Sequence, residues 1–194
     1  LVRARRRSEE AIELINNVLK ISKLRLEDSF NKEEVDIASI LAKAIKVAKV
    51  NADAKGVKLT LNNKRKGKHK IEGDPFLLQI ALSNIISNAI KYNNMDGLVE
   101  INVEEESANL IIKVCDNGIG IPKQDLQKIF TDFYRASNTK QFNVEGSGLG
   151  LSVVKQIVER HNGTIDIQSP SHLSTNKYPG TCVKITLPFL KQQS

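Results

Sequence analysis

Residues 99–120 read VEINVEEESANLIIKVCDNGIG, and this stretch decides the fold. Val99, Ile101 and Val103 alternate with polar residues, and so do Leu110, Ile112 and Val114, the period of half-buried strands. The link Glu105-Glu106-Ser107-Ala108 is too short for a crossover, so the two strands form an antiparallel pair. Upstream, Asp74-Pro75 pairs a capping carboxylate with a proline at the first helical position, which predicts a helix to about Tyr92. Before it, Ile40, Leu41, Ala44, Ile45 and Ala48 form a helical stripe that Gly56 closes, after a short strand at Val35 and Ile37. Val57, Leu59 and Leu61 alternate as a strand, and the basic cluster around Gly67 reads as the turn of a hairpin returning through Ile71. Downstream, Pro122 to Phe130 reads as a short helix and 136–147 as a mobile loop. A helix from about Gly148 to His161 follows, then strands at Ile165–Gln168 and Cys182–Leu187. Hairpin-tied strands with helices between them predict an α/β two-layer sandwich, a mixed, mostly antiparallel sheet packed on helices. In residues 1–30, Ala11, Leu14, Val18 and Ile21 form one stripe and Ile12, Ile15, Leu19 and Leu26 a second. That doubled stripe predicts a bundle-forming helix preceding the sandwich, one that needs a partner to bury it. The expected domains are therefore 1–30 and 31–194.

With 40% hydrophobic and 26% charged residues, the composition is that of a globular chain, and no apolar run is long enough to span a bilayer. Met95 is the only methionine, so the chain is expected to be a piece of something longer. The net charge of +7 gathers at Arg3–Arg7 and Lys64–Lys70. Without aromatic interleaving or zinc spacing, these read as solvated surface, not as a nucleic-acid site. Cys115 and Cys182 fall in apolar strands and are expected to be buried reduced thiols. No His or Cys lies near either in sequence, so zinc is not expected.

Candidate chemistry lies at the ends of these elements. Asn84, Asn88, Lys91 and Tyr92, spaced i, i+4, i+7 and i+8, share a helix face beside the apolar stripe of Leu78, Leu82, Ile85, Ile86 and Ala89. Amides and a lysine there suit Mg²⁺, which takes oxygen ligands, and phosphate, although a solvated face with a chance Asn pair reads equally well from this helix alone. Asp116 at a strand end can accept from the adenine amine, and Gly118 and Gly120 let backbone approach a ligand; a plain turn is the alternative. Gly146, Gly148 and Gly150 lead into a helix whose N-terminal amides form an anion site, or else are a flexible linker.

Taken together, these stretches resemble the catalytic, ATP-binding domain of bacterial sensor histidine kinases. That domain has a Bergerat-type fold within the wider family of gyrase, mismatch-repair ATPases and the ninety-kilodalton chaperone. Ser83 to Tyr92 is similar to the N box, Asp116 to Pro122 to the G1 box, and Ile129 to Arg135 to the F box. Gly146 to Leu151 resembles the G2 box, and Pro179-Gly180-Thr181 the last glycine motif. The resemblance implies ATP and Mg²⁺ as cofactors, with Asn88 on the metal, Lys91 and Tyr92 on the nucleotide, and Asp116 on the adenine amine. It further implies that Ile121, Tyr134, Arg135, Gly148, Leu149, Gly150, Leu151 and Thr181 line or close the pocket, with 136–147 as the lid. Residues 14–24 resemble the second helix of the dimerisation and histidine-phosphotransfer domain. The partners implied are an acceptor histidine, a response regulator and a second copy of the intact protein, with the domain in the cytoplasm, free or as the cytoplasmic part of a membrane-anchored sensor.

Two departures carry information. Hydrolases of the wider family place a water-activating glutamate four residues before the metal asparagine, where this chain has Asn84. An amide cannot take a proton at neutral pH, so Asn84 and Lys91 are expected to serve phosphoryl transfer rather than water attack. Second, His69, His161 and His172 are followed by Lys70, Asn162 and Leu173, not by the acidic residue that follows a phospho-acceptor. The acceptor is expected outside this chain, with all three histidines at the surface or at helix ends. The competing readings are an ATP hydrolase or ATP-driven clamp, a degenerate nucleotide-binding interaction module, and a protein-serine kinase of the same fold.

Overall fold

The computed structural model describes residues 31–65, 71–142, 144 and 146–190. The expected helix at 1–30 and most of the basic cluster lie outside the described residues. After strand β1 (Glu33–Val35), Asp36 accepts the Ala38 N–H at 3.0 Å and starts helix α1 (Ile37–Ala54). Ile37 thus opens the helix instead of extending the strand. Its buried stripe is Ile37, Ile40, Leu41, Ala44, Ala48 and Ala52, the 3.6-residue period that one packed face requires. Gly56, at φ +70°, turns the chain into strand β2 (Lys58–Asn63). Strand β3 (Ile71–Gly73) leads to helix α2 (Pro75–Lys91), where Asp74 accepts from Phe76 and Leu77 at 2.9 and 3.0 Å.

The expected hairpin between β2 and β3 is not formed. β3 pairs antiparallel with β1, while β2 pairs parallel with strand β4 (Leu98–Glu106). A parallel neighbour requires a crossover, and α2 supplies it. Strands β5 (Asn109–Asp116), β6 (Thr164–Gln168) and β7 (Cys182–Pro188) complete a five-stranded sheet in the order β2-β4-β5-β7-β6, antiparallel except at β2. Residues 123–130 form a run of turns rather than the helix expected from Pro122 to Phe130; the Asp125 carboxylate accepts from Tyr134 and Ser137, later in the chain. So short a helix is marginal without packing support. One 3₁₀ turn, Ser137–Lys140, stands in the expected loop, and helix α3 (Gly150–Arg160) follows.

One face of the sheet, with Val99, Ile101, Leu110, Ile112, Ile185 and Leu187, packs on α1, α2 and α3 in a single core. Each buried Leu or Ile contributes roughly 1.5–3 kcal/mol. The opposite face carries Glu100, Asn102, Lys113 and Lys184. This is the expected α/β two-layer sandwich.

Candidate functional site

The last turn of α2 needs acceptors satisfied and finds Lys55, whose Nζ donates to the carbonyls of Ile90 and Lys91 at 3.1 and 2.8 Å. Burial lowers the pKa of that amine. The end of α2 is fastened to the loop after β5. The Ile119 N–H donates to the Tyr92 carbonyl at 3.0 Å, and a Cβ on Gly118 would lie 2.3 Å from that same oxygen. Only glycine permits this approach, and it fixes Asn88 and Lys91 relative to Asp116.

Asp116 is 5% exposed, and its Oδ1 accepts the N–H groups of Gly118 at 2.8 Å and Thr181 at 3.2 Å. Burial pushes the carboxyl up to about 7, against the pull of those two N–H groups. Asp125 organises the far wall. It accepts from the Tyr134 hydroxyl at 2.7 Å and from Ser137 N–H and Oγ at 2.7 and 2.8 Å. The Ser137 N–H and then the Tyr134 hydroxyl hold its pKa down. Arg135 donates to the Val144 carbonyl. Gly148 has φ +74°, and a Cβ there would meet the Phe133 carbonyl carbon at 2.7 Å, so glycine is required where α3 begins.

These parts enclose one cavity. Asn84, Asn88, Lys91 and Tyr92 line it from α2, and Asp116, Gly120 and Ile121 from the loop after β5. Tyr134 and Arg135 stand on the far wall, Gly146, Gly148, Gly150 and Leu151 at the start of α3, and Thr181 before β7. Gly118 and Leu149 do not line it. Gly118 positions Asp116 through its N–H, and Leu149 is fully buried beneath the first turn of α3. The sequence reading missed the apolar floor of Val114, Val183 and Ile167, which is adjacent across β5, β7 and β6. Strand alternation marks each as inward, but only the register makes them neighbours. It also missed Ile129, Ala136 and Thr139 in the wall.

The cavity joins an apolar floor and a buried carboxylate to a cationic and amide-rich side. Ideal Cβ positions on Gly146 and Gly150 fall 3.0 Å from Lys91 Nζ and 3.6 Å from Asn88 Nδ2, so the start of α3 converges on both. Asn84 Nδ2 is buried and has no hydrogen-bond partner, an orphaned donor at the cavity. Such a donor set accepts an anion, and the amide oxygens of Asn84 and Asn88 are the groups there that could ligate a hard cation. Among the described lining residues, Asp116 is the one carboxylate.

The two cysteines depart from expectation: they face each other across β5 and β7 and are joined as a disulfide. His161 is at a helix end, as expected, but buried; His172 is exposed and lies 3.1 Å from Glu100. No helix among the described residues is long and apolar enough to cross a membrane.

Comparison with known proteins agrees with this geometry. The chain is 34% identical over 189 residues to the sensor histidine kinase WalK of Bacillus subtilis, covering 96% of this chain and 30% of WalK. It is 34% identical over 176 residues to the sensor-like histidine kinase SenX3 of Mycobacterium tuberculosis, covering 90% of this chain and 40% of SenX3. It thus spans less than half of either relative. In fold it is similar to the mycobacterial sensor histidine kinase MprB, with a TM-score of 0.69 at 24% identity over 81% of this chain and 98% of MprB. Full-length ShkA in complex with AMPPNP superimposes with a TM-score of 0.78 at 22% identity over 100% of this chain and 39% of ShkA. The family model described as histidine kinase-, DNA gyrase B-, and HSP90-like ATPase matches residues 73–191, which include every lining residue named above, and the chain belongs to that family of ATP-binding domains.

Proposed function

We propose that this chain is the ATP-binding catalytic module of a two-component sensor histidine kinase, which passes the γ-phosphoryl of ATP to a histidine outside it. The observation that carries the proposal is Asn84: a buried amide lines the cavity where a hydrolase of this family would hold its general base. Relatives that are named sensor histidine kinases support the same reading.

In this reading adenine lies on Val114, Val183 and Ile167, and its amine donates to Asp116. The triphosphate meets Lys91, Arg135 and the N–H groups at the start of α3, whose dipole favours negative charge. Asn88 would hold Mg²⁺, and the orphaned Asn84 N–H donor, four residues earlier on α2, fits a phosphate oxygen. Bound there, Mg²⁺ supplies charge neutralisation for the triphosphate. The chain's own residues do the rest by position and electrostatics: Lys91 and the helix-start amides gather charge, and the lid of residues 136–147 would exclude water. Residues 1–30 would belong to the dimerisation and phosphotransfer domain, and 31–194 form the catalytic domain. The intact protein would act as a homodimer in the cytoplasm and hand its phosphoryl group to a response regulator. The structure of ThkA in complex with the response regulator TrrA shows that such an assembly exists for a protein of this fold.

The test mixes the chain with ATP·Mg and a separate helical hairpin bearing the acceptor histidine of a sensor kinase. The expected result is acid-labile phosphate on the hairpin, abolished by Asn88→Asp and, at ATP concentrations that do not saturate the variant, strongly reduced by Asp116→Asn. Steady ATP turnover without any acceptor would instead support the hydrolase reading.

A further inference from the structure

A polar groove runs along the outer face of the sheet, and Cys115 and Cys182 line it. They are directly opposed in the β5–β7 register. The strap 169–173 borders the groove through Pro170, Ser171 and His172 and is tied down at two of its serines. Ser169 Oγ donates to the Gly180 carbonyl and Ser171 Oγ to the Asp116 carbonyl, each at 2.7 Å. This carries His172 over the cysteine pair, although 57 and 10 positions separate it in sequence from Cys115 and Cys182 (172 − 115 and 182 − 172). One ligand atom from each of Cys115, Cys182 and His172 lies within 4.8 Å of the others. Glu100, the cross-strand neighbour of Cys115, has its carboxylate 3.1 Å from His172 Nε2.

Two sulfurs, an imidazole and a carboxylate beside the ring are more than a disulfide needs. Zinc binds thiolate at about 2.3 Å and imidazole at about 2.0 Å in a tetrahedron, and ligand atoms within 4.8 Å of one another are at the scale of one such shell. Thiolate with imidazole selects zinc over the hard cations. A carboxylate on the imidazole is the usual device for orienting a metal-bound ring. His172 is exposed and Cys182 half-buried, so the groove admits an ion from solvent.

We propose that Cys115, Cys182 and His172 form a Zn²⁺ site once the disulfide is reduced, with Glu100 positioning the imidazole. The disulfide and the metal-bound dithiolate are two exclusive states of one cysteine pair. A thiol or phosphine reductant supplies the two electrons that break the S–S bond, and is itself oxidised, while two protons are taken up by the sulfurs. Binding of Zn²⁺ then releases those two protons and forms two Zn–S bonds. The site is independent of the reaction proposed above.

The test uses the chain reduced with a phosphine, cleared of reductant under anaerobic conditions, and titrated with Co²⁺ and then Zn²⁺. One equivalent of Co²⁺ should raise thiolate-to-cobalt absorption with the visible bands of a tetrahedral site, and Zn²⁺ should erase both. The unreduced chain should show neither. Cys115→Ser with Cys182→Ser should remove the thiolate absorption. His172→Ala, at an exposed position that does not threaten folding, should weaken Zn²⁺ binding at least about tenfold. A reduced chain without thiolate-to-cobalt absorption, or Zn²⁺ affinity unchanged in His172→Ala, overturns the proposal.

Discussion

Asp116 has one oxygen engaged and one to spare. Oδ1 accepts from Gly118 and Thr181, so Oδ2 is the acceptor left for an adenine amine. A proton taken up by this carboxyl goes to the unoccupied Oδ2 and removes that acceptor. With the carboxyl pushed up to about 7 by burial, affinity for a non-hydrolysable ATP analogue should fall as pH drops from 8 to 6, approaching about tenfold per unit below 7. Calorimetry across that range checks it, and a flat profile would contradict it. For stability the sign is opposite. The carboxyl titrates near 3.8 when unfolded and near 7 when folded, so the contribution of neutral Asp116 to the ligand-free fold is complete below 3.8 and lost as pH rises through 7. In Asp116→Asn, the amide oxygen can keep both N–H bonds, which turns an NH₂ toward the adenine amine. Two donors then meet, and affinity should fall about 10- to 100-fold with the pH dependence flattened. At Asn84 the expected change is a gain. Asn84→Glu restores a group able to take a proton from water and should raise acceptor-independent ATP hydrolysis by about 100-fold, read as phosphate release.

Beside their apolar packing, the start of α2 and the end of α3 share an imidazole. His161 Nδ1–H donates to the Ile157 carbonyl at 2.7 Å, and Nε2 accepts the Asp74 N–H at 2.9 Å, so the ring is neutral. Burial lowers its pKa. Below pH 6.5 the unfolded imidazole gains a proton that the folded one resists, so this group's stability contribution is present above 6.5 and lost as pH falls. His161→Ala leaves the Asp74 N–H without its acceptor and should cost about 1–3 kcal/mol, with a shallower loss of stability toward pH 5; urea unfolding at pH 7.5 and 5.5 checks both. Sequence could place His161 at a helix end but not reveal this bond, which spans 87 positions. The same limit explains the failed hairpin: adjacent strands were read as partners, whereas β2 finds β4 across the whole of α2. α2 itself was legible because Asp74, Pro75 and the stripe from Leu78 act within a few residues. The turns at 123–130 were not, since Asp125 takes its partners from beyond the segment.

Across the molecule, the candidate site was readable because its polar residues sit where elements end: Asn88 and Lys91 near the close of α2, Asp116 at the end of β5, Gly150 at the start of α3. Its apolar floor was not, since Val114, Val183 and Ile167 become one surface only through the register of three strands. A nucleotide in this cavity would touch parts from residue 84 to residue 183, most of the catalytic sandwich, and would bind only while all of them are assembled. Binding to the folded state alone should therefore stabilise the whole sandwich, by about 2.7 kcal/mol at a ligand concentration a hundred times Kd. For a chain of this size that corresponds to a rise in Tm of about 5–10 °C. A GTP analogue offers a carbonyl where adenine has its amine, opposite the Asp116 carboxylate, and should give little or no rise. Thermal denaturation with each analogue and Mg²⁺ distinguishes the cases: equal shifts would mean that Asp116 does not read the base, and no shift with the ATP analogue would remove the nucleotide from this cavity.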